Sequence, residues 1–342
     1  MVQKADTILY LPAHQVRSLV AQIDAVAVIE ETLMHFAVED AGLAPETALR
    51  WTAADGTMAR SLVLPAWDGQ HYGCKIINSC IGNHTRGIPR AQGLIILHDP
   101  DTAAPICIME GALISALRTA AVSIAALRAC GRLDHVRTAA VLGCGKQGRT
   151  HIELLAASSP RLSRLLLFDQ DVNSIQDLVV YCARHYGSLE VQTTLGAEQA
   201  VRGADLTIAV TTTTTPYVPL EWTKPGSTFL NVSLDDAQAS LLLGADHLFV
   251  DDWDLITSDQ HRILGALARA DRVTGPAEIM KQGARRVDAD LPTLVSGRYN
   301  RPIEGHHRVV VNPFGMGVHD IALAARVYRA AENQSAGLQL ER

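Results

Sequence analysis

The sequence lacks the features that mark membrane, secreted and nucleic-acid-binding proteins. It has no long basic run, and its formal net charge is −6, so nucleic acid is not an expected partner. No apolar run reaches the ~18 residues needed to cross a bilayer. Residues 1–11 contain no signal-peptide core. We therefore expect a protein that neither enters a membrane nor binds nucleic acid.

The cysteines and histidines show no disulfide or metal-binding pattern. The six cysteines are scattered without a C-x-x-C spacing, which favours reduced thiols in a cytoplasmic protein over a disulfide framework. The thirteen histidines include neither an H-E-x-x-H motif nor a tight cluster with cysteine, so no metal site is expected. With 342 residues, the chain is long enough for about two domains.

The N-terminal third mixes helices with strands. Helical spacing marks residues 21–39 and the Ala-rich segment 113–130, which stops at Gly131. Three runs have the composition typical of strands: 61–65, 72–77 and 93–97. A turn at 99–102 predicts a hairpin between segments 94–98 and 105–109.

From residue 137 onward, short apolar strands alternate with helical stretches. The strands are 139–142, 165–168, 206–210, 228–232 and 247–250. This alternation predicts βαβ units and a parallel sheet. A further strand at 309–311 and a helix at 318–331 follow, and the polar tail after Glu332 is expected to fray.

A glycine fingerprint opens this second region. The segment Val141-Leu-Gly-Cys-Gly-Lys-Gln-Gly148 follows a strand, begins a helix and has the G-x-G-x-x-G spacing. Such glycines either form a simple turn or let the pyrophosphate of a dinucleotide approach the helix N-terminus. A second strand ends at Asp169, roughly 20 residues further on, where an acid binds the ribose 2′-OH of NAD and repels the 2′-phosphate of NADP. We therefore expect a Rossmann domain that binds NAD.

Strand ends supply the remaining expected cofactor contacts. The Thr211–Thr215 run is either a plain loop or a loop that faces the ligand crevice, and the segment Asn231-Val-Ser-Leu-Asp-Asp236 follows the next strand. Acids in that segment either cap a helix or serve a ligand. The expected cofactor-binding residues are Gly143, Gly145, Lys146, Gln147, Gly148, Asp169, Thr211, Thr212 and Ser233.

Two cations interrupt apolar segments. Lys75 lies in a strand fit for burial, where it is either an edge residue with its ammonium in water or a paired functional group. Arg118 lies in the Ala-rich helix, where it either faces solvent or binds a carboxylate through its planar fork.

These motifs together resemble the ornithine cyclodeaminase/μ-crystallin family over about residues 8–330. The resemblance is carried by Gly73-x-Lys75 with Asn78, then Leu117-Arg-Thr-Ala-Ala121, then the glycine fingerprint, Asp236 and Gly315-Met-Gly-Val-His-Asp320. It implies an α/β fold in which a Rossmann domain, 126–317, is inserted into an α+β substrate-binding and dimerisation domain, 1–125 with 318–342. It also implies a homodimer that pairs through the N-terminal sheets.

The resemblance further implies a reaction and its residues. Arg50, Lys75 and Arg118 would hold the substrate α-carboxylate while NAD(P)⁺ takes hydride from Cα to leave an imine. Asp236 would handle the substrate nitrogen or the attacking water. Either Asp236 or Lys75 is the general base, because desolvation lowers the pKa of a lysine.

A closer likeness is to the 2,3-diaminopropionate branch of that family. It is carried by Asn83-His-Thr-Arg-Gly-Ile-Pro-Arg-Ala91, by the segment 109–118 and by Val311-Asn-Pro-Phe-Gly-Met316. It implies oxidative cleavage of N-(2-amino-2-carboxyethyl)-L-glutamate to 2-oxoglutarate and L-2,3-diaminopropionate, for siderophore or peptide natural-product assembly. The alternatives are an ornithine or lysine cyclodeaminase, an alanine dehydrogenase, a ketimine reductase, or a non-enzymatic NADP-linked binding protein.

The proposed substrate carries three carboxylates and needs cations beyond those at the α-carboxylate. Arg86 and Arg90 flank the turn Gly87-Ile-Pro89 and are expected to supply them, with Arg90 marking a preference for an anionic substrate. Alternatively, both arginines are solvated turn residues.

Overall fold

The structure is a computed structural model that describes residues 7–341. The strands are β1 (Thr7–Leu11), β2 (Gly42–Leu43), β3 (Thr47–Thr52), β4 (Met58–Trp67), β5 (Tyr72–Cys80), β6 (Ala91–His98), β7 (Pro105–Glu110), β8 (Thr138–Leu142), β9 (Arg164–Phe168), β10 (Glu190–Thr193), β11 (Leu206–Ala209), β12 (Thr228–Asn231), β13 (His247–Val250), β14 (Val273–Thr274), β15 (Arg285–Arg286), β16 (Ala289–Asp290), β17 (Val309–Asn312) and β18 (Leu338–Glu341). The helices are α1 (Ala13–Val20), α2 (Ala25–Phe36), α3 (Ala112–Ala129), α4 (Lys146–Ser158), α5 (Val172–His185), α6 (Ala197–Gly203), α7 (Ala239–Gly244), α8 (Trp253–Ser258), α9 (Ile263–Arg269), α10 (Leu291–Val295) and α11 (Gly317–Gln334).

Internal contacts divide the chain into two compact units. The first unit comprises Met1–Arg118 and Met316–Arg342, and the second is Thr119–Gly315. The second unit is therefore an insertion in the sequence of the first. Its boundaries fall inside α3 and one residue before α11 begins, whereas the sequence pattern placed them after residues 125 and 317.

The first unit is built on a mixed sheet covered by the last helix. The strand order is β18-β1-β7-β6-β5-β4-β2, with β3 paired to β4. Most neighbours are antiparallel, and β1 and β7 are parallel. The hairpin expected around residues 99–102 is confirmed as β6 and β7, with the Asp99 carboxylate accepting from the Thr102 N–H at 2.8 Å. Helix α11 packs against β4, β5 and β6, so its inward face reaches the middle of this sheet.

Two expectations for this unit are wrong. The tail after Glu332 does not fray, because α11 continues to Gln334 and β18 then pairs antiparallel with β1. The bounds expected for the helix at 21–39 are wrong as well: the helix there is α2, Ala25–Phe36, because Asp24 caps its start by accepting from the Ala27 N–H at 3.1 Å, and a separate helix, α1, precedes it. Both errors concern chain ends and caps, where hydrophobic period is a weak guide.

The second unit is a doubly wound α/β fold. Its main sheet is parallel throughout, in the order β10-β9-β8-β11-β12-β17-β13-β16, and the expected parallel strands are confirmed. The order reverses between β8 and β11, and ligands of such sheets bind outside the carboxyl ends of the strands at this switch point. The glycine fingerprint follows β8, and the threonine run follows β11.

The expectation that no segment is long and apolar enough to cross a membrane is wrong, because helix α3 is such a segment. Its 18 residues pass that test by length and composition, although Arg118 and Arg128 lie within it. The share of the helix buried in the protein is 61%, so core packing accounts for its apolar character.

Candidate active site

The first unit contains a buried group of three charged side chains and one serine, which we call the cation cluster: Lys75, Ser115, Arg118 and Asp320. Lys75 points inward from β5, and its Nζ donates to Asp320 Oδ2 at 2.6 Å and to Ser115 Oγ at 3.3 Å. Arg118 Nε donates to the other oxygen of Asp320 at 3.3 Å. Lys75 is only 1% exposed, so the interpretation of an edge lysine with its ammonium in water is wrong.

The charges of the cation cluster do not cancel. Two cations surround one carboxylate, so these four residues together carry one excess positive charge when Lys75 is protonated, and the negative charge of Glu46 also acts on Lys75. Desolvation, followed by repulsion from Arg118, lowers the pKa of Lys75 to about 8, and Asp320 opposes this shift. A buried excess cation of this kind is suited to one carboxylate of a ligand.

His319, beside Asp320 on α11, is a neutral neighbour of this cluster. Burial lowers its pKa to about 3, and Arg118 adds to the effect. The side chain is 0% exposed, and neither ring nitrogen has a hydrogen-bond partner among the described residues. The glycine-to-aspartate signature contained both residues, yet the sequence analysis gave neither a role.

The structure does not bring the other predicted arginines into contact with the cation cluster. Arg50 is exposed on β3, directly opposite Arg60 of β4. Arg86 forms an ion pair with Asp55 at 2.6 Å, so its charge is balanced within the protein. Arg90 is exposed, and within the described part of the chain its guanidinium has no ion-pair partner.

The glycine fingerprint has the geometry of a dinucleotide-binding turn. Gly143 adopts φ +103°, which favours glycine, and α4 begins at Lys146. A Cβ on Gly148 would lie 2.2 Å from the Gly143 carbonyl oxygen, so only glycine permits this close packing. Lys146 and Gln147 lie in the first turn of α4, where the backbone N–H groups of a helix point outward and the helix dipole favours an anion.

Asp169 lies against this turn at the end of β9. Its Oδ2 accepts from the Cys144 N–H at 2.6 Å, and its Oδ1 accepts from the Asp171 N–H at 2.9 Å. Arg149, a cation of α4, is engaged elsewhere in the protein. Its Nε donates to Glu153 at 2.9 Å, and its guanidinium lies 3.6 Å from the centre of the Tyr181 ring.

A second buried carboxylate, Asp236, is held by hydroxyl groups, and we call this arrangement the hydroxyl cage: Thr211, Tyr217, Ser233 and Asp236. Thr211 Oγ1 and the Tyr217 hydroxyl donate to Asp236 Oδ1 at 2.7 and 3.0 Å. Ser233 Oγ lies within hydrogen-bond distance of Oδ2. Burial is the largest cause of a raised pKa at Asp236, which is 0% exposed, while the three hydroxyls oppose the rise.

The loop that carries Asp236 is held in an unusual conformation. Leu234 has φ +78°, a region that a residue with a Cβ adopts at a cost of order 1–3 kcal/mol. Asn231 supports this turn by donating from Nδ2 to the Leu234 carbonyl oxygen at 3.0 Å and to Asn312 at 2.6 Å. The strand end is therefore shaped to present Asp236 to its hydroxyl partners.

Asp235 has a different environment from Asp236. Arg262 donates to its Oδ2 at 2.5 Å, and the Ile263 N–H at the start of α9 donates to Oδ1 at 3.2 Å. Asp235 is thus ion-paired with Arg262 and caps the start of α9, whereas the partners of Asp236 in the cage are hydroxyl groups. Thr212, next to Thr211, is exposed at the carboxyl end of β11.

Sequence reasoning missed Tyr217 as a partner of Asp236, and it missed Asp251. Asp251 follows β13, is 1% exposed and accepts from the Phe314 and Gly315 N–H groups at 2.7 and 2.5 Å. Burial raises its pKa to about 6. This carboxylate holds the loop that precedes α11, a role that no local motif indicates.

A cavity of about 390 Å³ lies at the amino ends of the strands of the parallel sheet, opposite to their carboxyl ends. Its lining includes Arg132, Asp205, Lys224 and Thr228, close to the amino ends of β11 and β12. The Arg132 guanidinium donates to the Glu304 and His307 carbonyl oxygens at 2.7 and 3.0 Å, so it ties loops together. The predicted site residues do not line this cavity. Among the residues that the structure describes, no group of three His, Cys, Asp or Glu side chains is placed to hold a metal ion.

Comparison with known proteins identifies relatives over nearly the whole chain. N-((2S)-2-amino-2-carboxyethyl)-L-glutamate dehydrogenase of Staphylococcus aureus is 28% identical over 297 residues, 85% of each chain. The crystal structure of CmnK superposes with a TM-score of 0.88 at 31% identity, covering 98% of both chains. An archaeal alanine dehydrogenase dimer with bound NAD has a TM-score of 0.84 at 22% identity, covering 98% of this chain and 99% of that one, which supports the fold.

The family model named ornithine cyclodeaminase/mu-crystallin matches residues 8–335, almost the same span that carried the sequence resemblance. The glycine fingerprint, the cation cluster and the hydroxyl cage all lie within that span. The chain therefore belongs to the ornithine cyclodeaminase/mu-crystallin family.

Proposed function

We propose that this protein is an NAD-dependent oxidoreductase that takes hydride from the CH–NH group of N-(2-amino-2-carboxyethyl)-L-glutamate. The observation that carries the proposal is the cation cluster, whose excess positive charge suits a substrate carboxylate. The choice of substrate rests on the 28% identical dehydrogenase from Staphylococcus aureus. The product L-2,3-diaminopropionate would serve siderophore or peptide natural-product assembly. All six thiols are free, in keeping with a cytoplasmic enzyme.

The second unit fits NAD. Its fingerprint turn leaves Gly145 with open space where a Cβ would be, so the pyrophosphate would meet backbone N–H groups at the start of α4. Asp169 would accept from the adenosine ribose and repel a 2′-phosphate. When bound, NAD⁺ supplies the hydride acceptor. We expect kcat/KM with NAD⁺ to exceed that with NADP⁺, and a preference for NADP⁺ would mean that Asp169 does not contact the ribose.

The reaction consumes substrate, NAD⁺ and water and gives 2-oxoglutarate, L-2,3-diaminopropionate, NADH and H⁺. The Cα–H bond of the glutamate half breaks with loss of hydride, the nitrogen loses its proton, and a C=N bond forms. Water then adds to that carbon, and the C–N bond breaks so that the nitrogen leaves with diaminopropionate. Protons therefore move twice: a base accepts the nitrogen proton and releases it as the H⁺ of the balance, and a base later accepts a proton from water that is returned to the departing nitrogen.

We assign binding and proton transfer to different groups. Lys75 and Arg118 hold the α-carboxylate, which fixes the orientation of the Cα–H bond, and Arg50 is a further candidate for this contact. Asp236 accepts the proton, because its raised pKa brings a carboxylate closer to the range of a general base. Lys75 is less suited to that role, since its protonated form is the one that pairs with Asp320 and binds the carboxylate.

Arg90 is proposed to bind a distal carboxylate of the substrate. It is exposed and has no ion-pair partner among the described residues, whereas Arg86 is balanced by Asp55. Arg86→Ala is therefore a matched control for Arg90→Ala. We expect Arg90→Ala to lose most turnover of the tricarboxylate and Arg86→Ala to keep it. Equal losses in both variants would remove Arg90 from the substrate-binding residues.

Product analysis tests the proposed function directly. The purified protein is incubated with NAD⁺ and N-(2-amino-2-carboxyethyl)-L-glutamate, and products are identified by mass spectrometry beside incubations with L-ornithine, L-lysine and L-alanine. We expect L-2,3-diaminopropionate and 2-oxoglutarate from the first substrate and no turnover of ornithine. Conversion of ornithine to proline would instead make the protein a cyclodeaminase.

We also propose a homodimer that pairs through the sheet of the first unit. Two apolar side chains are exposed on one face of β3: Leu49 and Trp51 are 66% and 47% exposed. Neighbouring exposed apolar groups of this kind are typical of protein interfaces. Trp51→Glu should give a monomer in light scattering, and Leu195→Glu, at a fully exposed residue of the second unit, should not. An unmodified protein that is monomeric would end this proposal.

A further inference from the structure

The two oxygens of Asp236 have different kinds of partners. Oδ1 accepts from two hydroxyls, Thr211 and Tyr217. Oδ2 contacts Ser233 Oγ, which also lies 3.0 Å from the Ala209 carbonyl oxygen. A serine hydroxyl has one proton, so Ser233 donates to only one of these two acceptors at a time. The Ala209 carbonyl also accepts from the Ser233 N–H at 3.0 Å, so it keeps one partner in either case.

Counting protons gives two complete arrangements. When Asp236 is ionised, Ser233 donates to Oδ2, and all three hydroxyls stabilise the carboxylate. When Oδ2 carries a proton, Asp236 donates to Ser233 Oγ, Ser233 turns to donate to Ala209, and Oδ1 keeps both of its donors. A proton on Oδ1 has no equivalent arrangement, because the Thr211 and Tyr217 hydroxyls both already donate to that oxygen. Rotation of one hydroxyl therefore satisfies both protonation states.

We propose that Ser233 is a two-state positioning residue that directs the proton onto Oδ2 of Asp236. Thr211 and Tyr217 hold Oδ1 as a permanent acceptor. For turnover, this inference rests on the proposed function, because it deepens the role given to Asp236 as proton acceptor. Ser233, which the sequence analysis placed among cofactor contacts, thereby acquires a role in proton transfer.

The charged groups around the hydroxyl cage in the second unit are compatible with this arrangement. Asp235 disfavours a second negative charge on Asp236, but Arg262 is bound to Asp235. Desolvation, followed by Asp236 itself, raises the pKa of Tyr217, so its phenol stays protonated and remains a donor; Asp169 acts in the same direction. Asp236 is therefore the group of the cage that exchanges a proton.

The first test titrates Asp236 without turnover. Infrared spectroscopy follows its protonated carboxyl band, which is assigned by its absence from Asp236→Asn, in the unmodified protein, Ser233→Ala and Thr211→Val. Both states lose one bond in Ser233→Ala, so its pKa should rise by no more than in Thr211→Val, about one unit or less. If Ser233 could only donate to Asp236 and never accept from it, Ser233→Ala would remove a hydrogen bond from the ionised state of Asp236 but not from the protonated state. A rise in Ser233→Ala clearly larger than in Thr211→Val would overturn the proposal.

The second test measures proton transfer during turnover. We expect Ser233→Ala to lower kcat about tenfold, less than the 10²–10⁴-fold of losing a general base, with little change in KM. Ser233→Thr should restore kcat, because the hydroxyl is restored. An unchanged kcat in Ser233→Ala would contradict the proposed role of Ser233 in positioning the proton. If the unmodified protein turns over no amine, the proposed function has failed, and the titration still decides the role of Ser233.

Discussion

The two units hold their buried charged groups in opposite ways. In the cation cluster, Lys75 and Arg118 are matched with the charged carboxylate of Asp320. In the hydroxyl cage, Asp236 is surrounded by three neutral hydroxyl groups. In an ion pair each partner opposes neutralisation of the other, and at Lys75 this opposes the desolvation and the Arg118 repulsion that lower its pKa to about 8. Neutral donors solvate a carboxylate without supplying a countercharge, so desolvation raises the pKa of Asp236.

This difference separates binding from chemistry. The cation cluster is suited to holding a carboxylate of constant charge, and the hydroxyl cage is suited to a group that gains and loses a proton. Substitutions in the cation cluster or at Asp236 remove one of the two roles, and the pH dependence of kcat and KM measures how sharply the roles are divided.

Asp236→Asn should have the largest effect, because it removes the titrating group and keeps its shape. We expect kcat to fall by about 10²–10⁴-fold with NAD binding unchanged. Stopped-flow detection of NADH and a fluorescence titration of cofactor binding measure the two quantities. Near-normal turnover would transfer the proton-accepting role to Lys75 or Asp235.

Asp320→Asn should act mainly on stability. Removing one partner of a buried ion pair costs about 3–5 kcal/mol, because Lys75 and Arg118 are left without their countercharge. Glu31→Gln is the matched control, since Glu31 forms an exposed pair with Arg326, and such pairs contribute about 0–1 kcal/mol. Denaturant unfolding compares the two. Equal destabilisation would mean that the Asp320 pair is not a buried one in solution.

Arg118→Ala should weaken substrate use without removing proton transfer. A hydrogen bond to a charged group contributes about 1.5–3 kcal/mol, so kcat/KM should fall by about 10- to 100-fold. Much of that loss should appear in KM. Arg118→Lys should recover only part of it, because lysine lacks the planar fork. A loss confined to kcat would place Arg118 in the chemistry instead.

The smallest expected effect is the pH dependence of kcat, which changes by at most about tenfold per pH unit. It distinguishes the two candidate bases, Asp236 and Lys75. With Asp236 as base, kcat falls only in acid, below the raised pKa of that carboxylate. With Lys75 as base, kcat would already fall as pH drops below about 8. KM should rise as pH increases above about 8, because Lys75 then loses the charge that binds the carboxylate. A kcat limb at about 8 would favour Lys75.

Features encoded by short-range pattern were predictable. The parallel strands, the turn at Gly143 and the position of Asp169 follow from apolar period and glycine spacing over a few tens of residues. Its place after a strand made Asp236 a candidate together with Asp235, and the family resemblance selected Asp236. Side-chain pairing over long separations was not predictable in the same way. Lys75 and Asp320 lie 245 residues apart in the sequence, and Arg118 and Asp320 lie 202 apart.

The partners that decide chemical roles were also absent from the pattern. Tyr217 and Thr211 meet Asp236 because two strand ends converge at one edge of a parallel sheet, and no spacing rule says which hydroxyls point inward. Likewise, Arg86 and Arg90 look equivalent in the sequence. Only the fold brings Asp55 to Arg86 and leaves Arg90 without a carboxylate among the described residues.

In the proposed reaction, hydride leaves Cα of the glutamate half of the substrate. The most direct measurement uses N-(2-amino-2-carboxyethyl)-L-glutamate with deuterium at that carbon, followed by mass spectrometry of the reduced cofactor and of both products. We predict deuterium in NADH, none in 2-oxoglutarate and none in L-2,3-diaminopropionate. Deuterium retained in an amino acid product, with unlabelled NADH, would contradict the account.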